Sequence, residues 1–329
     1  MLLQLHRRAA SLALLAAAAL AAGPAAAQTG AKVTVLRVAY PAGGPADVAA
    51  RKLQPGLQAA LGQAVVVENL PGAGGSIGAA NVLAAAADGK TLLVTTGNDL
   101  ILAPLAMAQV RYKPESYRLL ATILPTDFAL VTNADHAFKG LDELVDRHRQ
   151  ASAKELSVGS WGHGSAPYLV GADFKLATGV RMLDVPYKGA APVLQALLTK
   201  EIDMAFVPLA PSVLDFIRQG RIRPIGVTNT QRNPYLPEVP TLNESRYLKD
   251  FVYSAWAAVF VPAATPEPAV RQLSRQLGEI VASDDFQRFL RDAAALPVQP
   301  LTLDQASSFY TAEMEKFRRI AKRSGLEPQ

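Results

Sequence analysis

Two stretches of the sequence repeat one order: a strand-forming apolar run, a glycine-rich loop and a helical pattern. The run 33–39 leads into Tyr40-Pro41-Ala42-Gly43-Gly44-Pro45-Ala46-Asp47, and the run 64–69 leads into the loop 70–78. Glycines let the backbone turn tightly with no Cβ in the way of a ligand, and Pro45 suits the first position of a helix. The free N–H groups at a helix start attract anions. The repeat therefore predicts one carboxylate held between two loops, mostly by main-chain donors.

The first 27 residues are typical of a secretory signal peptide. Arg7 and Arg8 precede the apolar run 9–22, and Ala25-Ala26-Ala27 forms a small-residue cleavage site. The apolar run is too short for a comfortable membrane span, so we expect it to be removed on export. The sequence contains no cysteine, hence none that could carry a lipid anchor after cleavage.

Composition narrows the class of protein further. Half of the residues are apolar, which is ample for large cores, and without cysteines those cores must supply the stability that disulfides give other exported proteins. The formal charge of +5 falls to +3 without Arg7 and Arg8, and the basic residues are scattered without aromatic residues between them. We therefore expect no nucleic-acid partner. A mature chain of this length favours two lobes over one core.

Strands and helices alternate along the chain, which predicts an α/β fold with parallel sheets and a ligand site beyond the carboxyl ends of the strands. The runs Phe128–Thr132 and Tyr253–Val261 are predicted to cross between two lobes as hinge strands. The predicted organisation is a signal peptide at 1–27, a first lobe at 28–128, a second lobe at 129–253 and a return to the first lobe at 254–329.

Two local features are also predicted. Pro55-Gly56 interrupts the helical pattern 45–61, so we expect a kink or two short helices there. A short strand is predicted near Pro297–Pro300.

Three more loops resemble the first two in composition. Thr96-Gly97-Asn98 opens a helix in the first lobe, and Trp161-Gly162-His163-Gly164-Ser165 does so in the second. Gly164 and Ser165 would offer N–H and O–H donors there, although an ordinary turn capped by Ser165 fits the same pattern. Tyr187-Lys188-Gly189 follows a later strand of the second lobe.

An enzymatic alternative rests on Gly74-Gly75-Ser76-Ile77-Gly78, a literal G-x-S-x-G, which would make the protein an exported serine hydrolase using Ser76. In a nucleophile elbow the serine follows the strand directly, whereas residues 71–75 intervene here. A catalytic triad with Ser76 stays an alternative, because His163 follows an acidic residue, Asp135, in chain order. The same loop lacks the third glycine of a dinucleotide fingerprint, and no spacing suits a metal. We expect no cofactor and no metal.

Four ordered motifs make the chain similar to a known family: 40–47, 65–78, Asp184-Val185-Pro186-Tyr187-Lys188-Gly189 and Pro237-Glu238-Val239-Pro240-Thr241-Leu242. They resemble the tripartite tricarboxylate transporter substrate-binding family, the Bug-type periplasmic solute-binding proteins, over essentially the whole mature chain. The resemblance implies a two-lobed Venus flytrap of the type II-like class with two crossing hinge strands. It also implies a periplasmic protein without catalytic activity that delivers a small organic acid to the membrane permease subunits of a tripartite transporter. We expect the protein to be a monomer.

The resemblance and the loops together predict a set of ligand-binding residues. From the first lobe these are Tyr40, Gly43, Gly44, Asp47, Ala73, Gly74, Gly75, Ser76, Thr96 and Asn98, and from the second lobe Trp161, Gly164, Ser165, Tyr187 and Gly189.

The sequence departs from the family pattern at three places. Leu70 stands where the family usually has arginine, Tyr168 where histidine is common, and Val207-Pro208 where a polar Asp-Asn type of pair is frequent. Together with Trp161, these residues predict one end of the site that suits an anion and another that is apolar and aromatic. The expected ligand is a mono- or dicarboxylate, aromatic acids included. The pattern does not distinguish a receptor read by a permease from one read by a sensor.

The signal-peptide pattern predicts cleavage after Ala27, so that the mature chain begins at Gln28. Intact-mass measurement of protein recovered from the periplasmic fraction checks this. A different first residue, or retention of the chain in the membrane fraction, would contradict it.

Overall fold

The computed structural model describes residues 33–136 and 138–328, so the predicted signal peptide lies outside the described part. Nine strands within these described residues form a mixed sheet, and helices cover it. The strands are β1 (Val33–Val38), β2 (Ala64–Asn69), β3 (Thr91–Thr96), β4 (Tyr117–Asn133), β5 (Leu156–Ser160), β6 (Met182–Pro186), β7 (Met204–Pro208), β8 (Ile222–Val227) and β9 (Ser254–Pro262).

Ten α-helices connect and flank these strands in the described residues. They are α1 (Pro45–Leu61), α2 (Ser76–Ala84), α3 (Gly97–Ala106), α4 (Leu141–His148), α5 (Ala166–Thr178), α6 (Ala190–Leu198), α7 (Pro211–Arg218), α8 (Glu267–Ala282), α9 (Asp284–Asp292) and α10 (Leu303–Arg323). None of the helices in the described ranges is long and apolar enough to cross a membrane.

The sheet consists of two halves. In the first half-sheet, β1 lies between β2 and β3 and pairs with both in parallel, while β9 runs antiparallel to β3. In the second half-sheet, β5 lies between β6 and β7, again in parallel. The loops that follow β1, β2 and β3 therefore lie at one edge of the first half-sheet, as the strand–helix alternation predicts.

The strand β4 joins the two halves. Its first part, Tyr117–Asp127, pairs antiparallel with β9, and the remainder, Phe128–Asn133, pairs with β7 and β8. The predicted crossing strand Phe128–Thr132 is thus the end of a strand of 17 residues. The other predicted crossing strand, Tyr253–Val261, agrees with β9 within one residue.

The C-terminal helix α10 also connects the halves. Its residue Glu313 accepts a hydrogen bond from the indole Nε1 of Trp256 on β9 at 3.1 Å. At its other end Arg323 pairs with Asp173 on α5, whose carboxylate also accepts a bond of 2.6 Å from the Tyr253 hydroxyl. Asp173 is 3% exposed. A charge at such a buried position requires partners of this kind, so α10 is fixed firmly against α5.

Two of the local predictions are wrong. The helix α1 runs through Pro55 as one element of 17 residues. Pro55 is exposed, so the hydrogen bond that it cannot donate is lost on the side where water can replace it. Gly56 permits close packing instead, because a Cβ there would lie 3.1 Å from Cγ1 of Ile280 on α8. Residues 297–300 form no strand, in keeping with the two prolines that bound them.

The first residue of α3, Gly97, lies directly against the Trp256 ring. A Cβ at Gly97 would be 1.9 Å from the ring atom Cη2, whereas Trp256 is 2% exposed and has no room to move outward. Any side chain at Gly97 must displace either α3 or β9.

We expect Gly97→Ala to lower the free energy of unfolding by about 1–3 kcal/mol, the usual cost of overpacking a core. Gly171→Ala is the matched control, since Gly171 is also helical and its Cβ would meet only ordinary contacts at 3.9 Å or more. Alanine there should be neutral or stabilising by up to about 1 kcal/mol. Urea denaturation measures both. Equal stability of the two variants would contradict the close contact at Gly97.

Candidate functional site

The first glycine loop is held in shape by Asp47. One carboxylate oxygen, Oδ2, accepts hydrogen bonds from the Gly43 N–H at 2.9 Å and from Arg51 Nε at 3.0 Å. The other, Oδ1, accepts one of 2.9 Å from Asn69 Nδ2, which also donates to the Tyr40 carbonyl at 3.0 Å. Asp47 is 2% exposed. Both of its oxygens therefore serve to brace the loop against α1 and the end of β2.

The surroundings of Asp47 keep it charged. Burial alone would raise its pKa, but the hydrogen bonds from Arg51, Gly43 and Asn69 outweigh that effect and hold the pKa below its usual value. The first loop is therefore braced by a carboxylate whose charged form is favoured and is compensated locally by Arg51.

The second glycine loop requires left-handed backbone at four successive positions. The φ angles of Gly72, Ala73, Gly74 and Gly75 are +132°, +47°, +62° and +88°. Gly75 also lies against the first loop, since a Cβ there would be 3.4 Å from the Tyr40 hydroxyl oxygen. Because glycine has no Cβ, Gly75 allows the two loops to approach each other closely.

Ser76 is the first residue of α2 and is 7% exposed. Each histidine outside the predicted signal peptide bonds a group other than Ser76: His136 contacts Asp203, His148 the Lys154 carbonyl and His163 the Glu327 carbonyl. None of these three described hydrogen bonds joins a histidine to Ser76, as a catalytic triad would require.

A hydroxyl cluster lies between the two loops. The Tyr40 hydroxyl donates to Oδ2 of Asp99 at 2.7 Å and lies 2.7 Å from the Thr96 hydroxyl. Thr96 in turn caps α3 by accepting from the Asp99 N–H at 3.4 Å. Burial raises the pKa of Tyr40 and of Asp99, and the Asp99 charge raises that of Tyr40 further. The sequence analysis placed Tyr40 and Thr96 at the site but missed Asp99.

Asn98 connects the same helix start to the crossing strand β9. Its Nδ2 donates to the Ser254 carbonyl at 3.0 Å, and its Oδ1 accepts from the Trp256 N–H at 3.2 Å. Asn98 is 2% exposed. Its amide is thus engaged at both ends with β9, which makes it an anchor of α3.

The loop of the second half-sheet approaches the first half at Gly164. Gly164 has a φ of +83°, and a Cβ there would lie 2.4 Å from the Cβ of Ala106 and 3.9 Å from Cε of Met107. The same Cε would lie 3.5 Å from a Cβ at Gly74. The Met107 side chain therefore lies between the second loop and the loop at Gly164. The sequence analysis missed Met107, because this residue follows a helix and belongs to none of the sequence motifs.

The other residues of this loop have local partners. Ser165 caps α5 by accepting from the Tyr168 N–H at 3.4 Å, as the ordinary-turn alternative expects. The His163 and Tyr168 rings meet edge to face with centroids 5.0 Å apart, and Trp161 packs half-buried against the cores of both halves. These rings lie in and next to the loop where the sequence analysis predicts an aromatic side of the site.

Two predicted ligand residues lie further along the second half-sheet. The Tyr187 N–H donates to the Ser160 carbonyl at 2.9 Å, next to Trp161. Gly189 precedes α6 with a φ of +128°. No hydrogen bond in the described residues joins Tyr187 or Gly189 to the first-half loops. Val207 is 1% exposed and belongs to the core between β7 and its helices.

Two grooves lie elsewhere on the described surface, beside α8 and α10. Their volumes are about 500 and 540 Å³, and none of the predicted ligand residues lines them. Within residues 33–136 and 138–328, no group of three or more histidine, aspartate or glutamate side chains is arranged to hold a metal ion.

Comparison with solved structures identifies the class of protein that has this fold. The protein Rpa4515 of R. palustris, solved with adipate, superposes with a TM-score of 0.79 at 28% identity, over 90% of this chain and 99% of that one. MatC of Rhodopseudomonas palustris, solved with malate, gives 0.75 at 27% identity over 88% and 98% of the two chains. The fold is that of a two-lobed periplasmic binding protein.

The sequence identifies the family. Residues 49–326 match the model described as the tripartite tricarboxylate transporter family receptor, and BugT of Bordetella pertussis is 33% identical over 296 residues, 88% of each chain. The chain belongs to this family. Because the family consists of substrate-binding receptors, the hydrolase alternative is wrong.

The brace at Asp47 generates a prediction about stability and pH. With a pKa below its unfolded-state value of about 4, the charged carboxylate stabilises the fold above that value, and the stabilisation is lost as the pH falls through the folded-state pKa. We expect Asp47→Asn to cost about 1–3 kcal/mol at neutral pH. The difference from the parent should shrink as the pH falls below about 4.

Urea unfolding at several pH values measures this difference. Asp285→Asn is the control, because it removes the same charge from a side chain that is 73% exposed and forms a surface salt bridge with Lys52. We expect that change to cost about 0–1 kcal/mol. A parent and an Asp47→Asn variant of equal stability at neutral pH would show that the brace is not needed.

Proposed function

We propose that this protein captures a small organic carboxylate between its two lobes and delivers it to the membrane subunits of a tripartite transporter. The observation that carries the proposal is the convergence of helix starts: the two glycine loops meet at Tyr40, and the loops at Thr96 and Gly164 adjoin them. Helix starts supply N–H donors and a favourable dipole for an anion.

The relatives support a carboxylate ligand. The structures that resemble this chain contain malate and adipate, both of which are organic acids. The aromatic residues Trp161, His163 and Tyr168 favour an acid whose remainder is apolar or aromatic, since an aromatic pair contributes about 0.5–1.5 kcal/mol beyond burial. We propose the ligand-binding residues of the sequence analysis as this site, with Asp47 and Asn98 holding its loops.

We propose that the lobes have the boundaries given by the sequence pattern, 28–128 with 254–329 and 129–253. The paired strands β4 and β9 that cross between the half-sheets support them. We further propose that the mature chain works as a periplasmic monomer. The predicted cleavage site and the family support export.

A thermal-shift screen of the mature chain against organic acids tests the function. At a ligand concentration of 100 times Kd, linkage predicts about 2.7 kcal/mol of stabilisation, which is visible as a shift of several degrees. We expect at least one acid with an apolar or aromatic remainder to give such a shift. A screen in which no acid stabilises the protein would overturn the proposal.

Two variants separate main-chain from side-chain binding. Ser76→Ala removes at most one hydrogen bond, so it should weaken binding by no more than about two orders of magnitude. Gly44→Val should abolish measurable binding, because its branched side chain would project at the helix start. The φ of −74° at Gly44 suits valine, and the nearest atom to a Cβ there, apart from its chain neighbours, is the Pro41 carbonyl oxygen at 3.3 Å, so the protein should stay folded after a small shift of the loop. Uptake of the identified acid by cells with and without the gene tests delivery.

A further inference from the structure

Met107 contacts loops from both halves of the structure. It directly follows α3, and its Cε atom lies 3.5 Å from the position that a Cβ would take at Gly74 and 3.9 Å from the corresponding position at Gly164. Both distances are those of ordinary van der Waals contact. One methyl group therefore occupies the space between the second glycine loop and the loop at Gly164.

The backbone of Met107 is held in place. Its N–H donates to the Ala103 carbonyl at 2.9 Å, and its carbonyl accepts from the Val110 N–H at 3.0 Å. The preceding residue, Ala106, is buried, and its Cβ lies 2.4 Å from the position of a Cβ at Gly164, so the end of α3 packs directly on this loop. The Met107 side chain thus starts from a fixed point, and a substitution there changes mainly how far the side chain reaches.

Met107 also shares a hydrophobic core with two residues of the predicted site. The side chains of Tyr40, Met107 and Trp161 are all partly buried against the same core, and each keeps some exposed surface. A thioether donates no hydrogen bond, so the uncovered part of Met107 offers an apolar contact. It suits the apolar remainder of an acid better than the carboxylate.

We infer that Met107 limits the length of the acid that the site accepts. Under the proposed function, on which this inference rests, a carboxylate held between the two glycine loops directs the rest of the acid toward the second lobe. The Met107 methyl group stands in that direction, between Gly74 and Gly164. An acid longer than the remaining space must displace this side chain, and overpacking of this kind is costly.

Ligand length differs among proteins of this fold. One of the solved structures contains malate, and another contains adipate, which is a longer acid. A residue that sets the length can therefore differ from one receptor to another while the fold stays the same.

Acids that grow by one methylene at a time test the inference. Three series serve as probes: the linear monocarboxylates from butyrate to decanoate, the linear dicarboxylates from succinate to sebacate, and the phenyl-substituted acids from benzoate to 6-phenylhexanoate. Isothermal titration of the mature protein at neutral pH gives the Kd of each acid. In the series that binds, the affinity of the parent should rise by up to about fourfold per methylene and then fall at a limiting length.

Substitutions at Met107 should move this limit. Met107→Ala removes the outer part of the side chain, so the first acid beyond the limit of the parent should bind at least about tenfold more tightly to the variant than to the parent. Met107→Val is a milder truncation that should change the limit in the same direction. Met107→Leu keeps the volume of the side chain, and its limit should stay within about one methylene of that of the parent.

Met182→Ala is the matched control. Met182 is 7% exposed at the start of β6, and its Cε also lies against a glycine, 3.9 Å from the position of a Cβ at Gly171. The start of β6 lies at the end of this strand opposite to the loop that contains Tyr187 and Gly189. We expect this variant to melt at a lower temperature and to keep the limiting length of the parent. The melting temperature of every variant without ligand shows whether it is folded.

The outcomes separate the inference from the proposed function. Folded Met107→Ala and Met107→Val variants that keep the limiting length of the parent would overturn the role of Met107, and so would an equal change of the limit in Met182→Ala. A parent whose affinity reaches no limit within the binding series would overturn it without any variant. If none of the three series binds to the parent, the inference fails, whereas the proposed function fails only if the wider screen of organic acids finds no ligand.

Discussion

The continuous pairing of β4 holds the structure together. At about 3.3 Å per residue, a strand of 17 residues is long enough to belong to both half-sheets, and every helix start at the site is positioned by one of these halves. The pairing of β4 with β9 shifts register twice, between Leu119 and Ala121 and between Thr122 and Leu124. Such irregularities bend a strand and increase its twist. The connection is therefore strong in hydrogen bonds, and these two irregularities lie where β4 pairs with β9 in the first half-sheet.

The site uses side chains mainly to fix the backbone. Asp47 braces the first loop, Asn98 ties the start of α3 to β9, and Ser165 caps α5. At the site proposed here, the groups left to face a ligand are main-chain donors, hydroxyls and apolar surfaces. Because the loops are fixed by a few buried polar contacts, the fold can stay the same while other residues change. In agreement with this, the chain keeps a TM-score of 0.75 to 0.79 with solved structures that are only 27–28% identical to it.

Much of the fold could be predicted from the sequence. The positions of glycine and proline indicate turns and helix ends, and the alternation of apolar residues indicates strands and helices. The loops at Gly43, Gly75 and Gly164 all have the positive φ angles that favour glycine. The prediction at Pro55 was wrong because a proline on the exposed face of a helix costs little, and the adjacent Gly56 is explained by the contact with Ile280 rather than by a break. Asp99 and Met107 could not be predicted, since each acquires its role only through contacts between segments distant in sequence.

The helix α10 gives the far end of the chain a connection to the binding loops. Arg323 pairs with Asp173 on α5, and the carbonyl of Glu327 accepts a hydrogen bond of 3.0 Å at His163, which belongs to the loop next to Gly164. A dye or fluorescent protein fused to this end would thus be attached within a few residues of the loop at Gly164. If this loop takes part in the proposed site, a label or an immobilisation surface at this end would act on the site directly, so a biosensor made from this receptor is better coupled elsewhere.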